Sequence, residues 1–170
     1  MYTKGVIENE AHCMKVMEKM EEAYQKRDEA YFVKVLNKES SLVLRVHAVC
    51  ILAEVGGENS METLADVLLH DADPLVRHEA AFSLGQIGLS EANGPLERAV
   101  MTDPEAIVRH EAAAALGSIG NPSAERVLRL ALEDRDEIVR NSARTSLFNL
   151  DFLKRYSVGR TTARERAPRP

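Results

Sequence analysis

The stretch "VRHEAAFSLGQIG" at residues 76–88 returns as "VRHEAAAALGSIG" at 108–120, with ten of thirteen positions unchanged. Aligned on one arginine, four segments stack: "LVLRVHAVCILAEVG" on Arg45, "PLVRHEAAFSLGQIG" on Arg77, "AIVRHEAAAALGSIG" on Arg109 and "EIVRNSARTSLFNL" on Arg140, spaced by 32, 32 and 31 residues. Each period holds two helical patterns. Such a unit hides its apolar face only against its neighbours, so the copies must stack. The expected fold is all-α: a right-handed α-solenoid of about four helix pairs.

The boundaries follow from local chemistry. "DADP" and "TDP" place an Asp where it can accept the first free N–H groups of a helix, with Pro at a position that needs no donor. Gly88 and Gly120 follow the last periodic apolar residue, where a left-handed helix end needs no side chain. The second helices of the pairs read as "METLADVLLH", "NGPLERAVM" and "PSAERVLRLALE", and "DEAYFVKVLN" is the partner helix of the first repeat. The repeat domain is therefore 28–153, with repeats near 28–56, 57–88, 89–120 and 121–153. Residues 1–27 carry one extra helix, with Met14, Met17 and Met20 at helical spacing, that caps the open end of the stack. Periodicity stops after Leu153, and 154–170 reads as a basic, disordered tail.

Charge and composition narrow the function. The net charge is -5, and the tail holds six Lys and Arg against one Glu, so the body is markedly acidic. General nucleic-acid binding is excluded on that basis. Apolar runs fall short of a membrane span and the first residues lack a signal-peptide stretch. Cys13 and Cys50 have no metal or redox spacing, which suits a reducing compartment. A cytoplasmic protein is expected. No phosphate-binding glycine loop or nucleophile elbow is present.

The His-Glu dipeptides carry the chemistry. With Val76 at zero on a helical wheel, Ala80, Leu84 and Ile87 form the packing stripe, while His78 lies about 200° away and Glu79 about 300° away. His78 thus faces the concave surface and Glu79 the flank beside an adjacent repeat. His110 and Glu111 repeat both directions, and Phe82 faces the same concavity. Neighbouring helices lie roughly 8–10 Å apart, so two imidazoles and at least one carboxylate can meet on one ion. That donor set suits non-haem iron, and also manganese or zinc. The flanking repeats hold Val46 and His47, and Asn141 and Ser142, at the same places. The competing reading is a solvated pair copied by duplication.

The repeats resemble HEAT-like repeats, which phycobilin lyases also contain, over roughly residues 28–153. The two motifs, their 32-residue separation and the closing "RTSLFNLDFL" resemble one half of the deoxyhypusine hydroxylase family. That family has two symmetric halves of four repeats, with His-Glu pairs in the second and third repeats of each half. The resemblance implies a diiron centre, dioxygen as co-substrate, and hydroxylation of a cationic amine side chain on a protein. His78, His110 and Glu111 would then be iron ligands, and Glu79 a catalytic contact to the substrate amine that also belongs to the metal set. This chain has two pairs where the family has four. A twofold homodimer with opposed concave faces, holding two iron ions, would restore the count. The alternative is a metal-free scaffold or lyase-like module that grips a protein partner with its concave face.

Overall fold

The computed structural model describes residues 4–39 and 41–165, and the side chains of 10–39 and 41–156. Nine α-helices and no strand occur among the described residues: α1 Lys4–Gln25, α2 Glu29–Lys38, α3 Leu42–Gly56, α4 Met61–His70, α5 Pro74–Ile87, α6 Asn93–Thr102, α7 Ala106–Ile119, α8 Glu125–Ala131 and α9 Glu137–Glu165. Single 3-10 turns at Gly57–Ser60, Ser90–Ala92 and Pro122–Ala124 lead into α4, α6 and α8. Four pairs stack in order, α2 with α3, α4 with α5, α6 with α7 and α8 with α9, and α1 packs on α2 and α3. Val16, Met20 and Ala23 of α1 are buried there.

Local chemistry sets the ends. Asp73 accepts from the Leu75 amide at 2.8 Å with Pro74 opening α5, and Gly88 and Gly120 end α5 and α7 at φ of 76° and 71°. "TDP" behaves differently from expectation. α7 begins at Ala106, two residues after Pro104, and the N-cap is Glu105 without a side-chain bond. The Asp103 carboxylate, which accepts the Glu105 amide at 2.9 Å, is directed instead at Arg77. At the other end, α9 does not stop where the apolar periodicity does, at Leu153, but runs on to Glu165. Residues 166–170 of the expected tail lie outside those described.

The arginine register is the frame of the stack. Arg77 donates to both oxygens of Asp103 at 2.8 and 2.9 Å and to the Asp71 carbonyl at 2.9 Å. Arg109 does the same with Asp134, at 2.8 and 2.9 Å, and adds Asp136 at 2.7 Å and the Asp103 carbonyl at 3.0 Å. Arg45 reaches Asp71, and Arg140 reaches the carbonyls of Asp134 and Arg135. The first three guanidinia reach the turn of the next repeat, while Arg140 closes the turn of its own. With Arg77 at 8% and Arg109 at 5% exposure, the central rungs are not the weak surface pairs that a solvated ladder would give.

Leucines and alanines fill the space between rows: Leu44, Leu64, Leu84, Leu96, Leu116 and Leu128 are fully buried. The row α3, α5, α7, α9 is the tighter one. A Cβ added at Gly117 would stand 2.6 Å from the Ser146 Cβ, so α7 and α9 meet almost backbone to backbone. The close row is the inner side of the curve, and the His-Glu motifs sit on it.

Candidate metal centre

The His-Glu motifs occupy the first two turns of α5 and α7, just inside the Arg-Asp rungs. The ladder fixes how neighbouring helices are rotated, and that rotation aims the carboxylate of each pair back at the preceding repeat. Glu111 thereby meets His78, with Oε2 3.4 Å from Nε2, and both side chains are half-buried or better. Metal-ligand bonds of about 2.1 Å at octahedral to tetrahedral angles separate neighbouring donors by roughly 3.0–3.4 Å. Donor types and spacing therefore fit two adjacent ligands of one ion.

The electrostatics of the pair favour the protonated imidazole. The Glu111 carboxylate raises the His78 pKa above its ordinary value through their hydrogen bond, against the opposing effect of burial, and the charges of Glu111 and Glu79 add to it. His78 Nδ1 is buried with no hydrogen-bond partner.

The remaining two residues go elsewhere. His110 Nδ1 lies 2.5 Å from Ser142 Oγ on α9, and Glu79 accepts a hydrogen bond from the Cys50 thiol on α3 at 3.1 Å. Burial and that bond push the Cys50 thiol up to about 12, so it acts as a neutral donor and not as a thiolate. At two repeat boundaries the histidine position faces the glutamate position of the next repeat, His78 with Glu111 and His110 with Ser142; Glu79 instead meets Cys50 of the repeat before it. Among the described residues no three His, Cys, Asp or Glu side chains gather as a metal group. One chain brings together His78 and Glu111, and leaves His110 and Glu79 outside that pair.

Ser142 and Cys50 are the partners that sequence reasoning missed. Ser142 was legible as the occupant of the glutamate register in the fourth repeat; Cys50 sits one helical turn beyond Val46 and had no such signal. Two grooves flank the pair. One of about 400 Å³ is lined by Cys50, Glu54, Glu58, Glu79 and Phe82, which is three carboxylates around an aromatic ring. The other, of about 620 Å³ between α7 and α9, is lined by His110, Ser142 and Phe148 with small residues between them.

Comparison with known proteins places the chain. The family described as HEAT repeats matches residues 29–117 and 61–147. No curated protein sequence matches. Among solved structures, that of human deoxyhypusine hydroxylase in complex with glycerol is similar at 32% identity and a TM-score of 0.66, over 74% of this chain and 44% of that one. An engineered protein shares the fold at 23% identity and a TM-score of 0.50, over 72% of this chain and 62% of that one. The chain thus spans under half the length of the human enzyme. With four stacked helix pairs, an inner row carrying the repeated motif and the family match across all of them, the chain belongs to the HEAT repeat family.

Proposed function

We propose that the protein is a half-length, deoxyhypusine hydroxylase-like oxygenase whose non-haem metal centre, of iron, is completed by homodimerisation. The observation that carries this reading is the His78–Glu111 contact, in which two copies of one motif converge across a repeat boundary at a separation suited to a shared ion. His78 and Glu111 would hold the metal in one chain, and His110 would join a ligand set only on turning from Ser142. When bound, iron supplies the activation of dioxygen. The chain's own residues do the rest: Glu111 pairs with the His78 imidazole, and the buried flank of α5 and α7 would limit water around the pair.

Substrate recognition falls to Glu79 and its groove. Three carboxylates and the face of Phe82 form a surface suited to a protonated amine, through charge and cation–π attraction. The Cys50 thiol orients Glu79 by donating to it. A cationic amine side chain on a protein is the substrate class these groups favour.

The test is metal content. Protein reconstituted anaerobically with ferrous iron and freed of excess should hold about one iron per chain. His78→Ala and Glu111→Gln should each lower the bound iron by tenfold or more, because a lost ligand or supporting partner costs about that much. Wild-type protein that retains no iron under these conditions overturns the reading.

A further inference from the structure

The inner face carries a second pattern beside the histidines. Two residues before each ladder arginine stand Val43, Leu75, Ile107 and Ile138, one in every repeat, and all four are between 42% and 59% exposed. On the wheel this register lies about 260° from the core residue, near the middle of the concave face. An isolated exposed aliphatic needs no explanation. Four in one register do, because a solvated position in a solenoid has no reason to remain aliphatic through every copy. Parallel to this row, one turn beyond the histidine register, run Cys50, Phe82, Ala114 and Thr145, also without a charge. Phe82 is exposed there, and Phe148 projects from α9 at 74% exposure beside the small-residue groove.

We infer that this aliphatic row, with Phe148 at its margin, is the surface on which a second copy of the chain docks, concave face to concave face. The inference rests on the dimer in the proposed function and specifies where it forms. Three observations choose the occupant. The row spans all four repeats, about 30 Å at the usual spacing of packed helices, so its cover must be as long as the solenoid itself. The body is acidic, so two copies meet with least repulsion along the uncharged row of Val43, Leu75, Ile107 and Ile138. The donor set on this same face stops at two residues in one chain, and a twofold axis through it brings the second His78–Glu111 pair alongside. The exposed side chains of the row and Phe148 amount to roughly 500 Å² per copy. That lies toward the upper end of the patches monomers leave open and below the ~800 Å² per partner of a standard interface, which suits a dimer that dissociates on dilution.

The experiment is the mass of the full chain in solution, by light scattering or sedimentation equilibrium, in chelator. Wild-type protein should be dimeric at about 50 µM and dissociate on dilution. Leu75→Lys and Ile107→Asp, each on an exposed position, should weaken the dimer at least about tenfold, with helical circular dichroism unchanged and the melting temperature unchanged at a dilution where the wild type is monomeric. Met14→Asp, on a more exposed position of α1, should leave it intact. A monomeric wild-type chain, a dimer indifferent to both substitutions, or equal loss with Met14→Asp overturns the inference. The readout is independent of iron: a dimer that binds no iron sinks only the metal reading, and a monomer that binds it sinks this inference and the homodimer of the proposed function while the metal reading stands.

Discussion

Asp134 shows how much one residue holds in this fold. It takes both bonds from Arg109, accepts the Asp136 amide at 2.9 Å, and the Arg109 bonds draw its carboxyl below the ordinary carboxylate value against the cost of burial. A carboxylate with a depressed folded pKa contributes stability above its unfolded value and loses it as pH falls through the folded one. Stability should therefore drop as pH falls below about 4. In Asp134→Asn that acid limb should flatten, while stability at pH 7 falls by roughly 1–3 kcal/mol, the worth of a hydrogen bond to a charged group. Urea titrations at pH 7 and pH 3 read both effects, and a variant with the wild-type acid limb refutes the assignment. Sequence spacing made the arginine register visible. Its burial was not visible, because Arg77 and Arg109 are covered by loop carbonyls that only the stacked structure supplies.

At the scale of elements, packing distance matters more than helix propensity. The repeat period and the glycine stops located most helices, since Asp73, Gly88 and Gly120 act through neighbours in sequence. The start of α7 shifted because Asp103 is claimed by Arg77, a contact 26 residues away that local rules do not register. Close approach of α7 and α9 is a similar long-range fact. In Gly117→Ala the new methyl would meet the Ser146 Cα at 2.8 Å, which is backbone and cannot rotate away. The helices must separate, at a cost of roughly 1–3 kcal/mol. Gly94→Ala is the control: nothing lies within 4 Å of its added methyl, so the change should be neutral or stabilising by up to ~1 kcal/mol. Thermal melts of the two variants compare them directly. The same movement would pull Ser142 from His110, so Gly117→Ala should also alter the His110 imidazole signals in an NMR spectrum.

The whole molecule presents a solenoid face whose chemistry is distributed along rows, and a row is legible in sequence only when its residues are of an unusual type. His78 and His110 stood out against Val46 and Asn141. The aliphatic row did not, because Val, Leu and Ile in a helix pattern read as core until their exposure is known. That difference has a measurable consequence for the metal. One chain offers the His78–Glu111 pair, and His110 is turned to Ser142. If the remaining ligands come from a second copy, binding and association are linked, and each promotes the other by mass action. Apparent iron affinity should then rise with protein concentration. Competition against a ferrous chelator at about 1 µM and about 100 µM chain should differ by tenfold or more if the dimer constant lies between them. Ile107→Asp should hold the affinity at the low value at both concentrations, although it touches no ligand. An affinity that is the same at both concentrations in wild-type protein would mean that every ligand comes from a single chain.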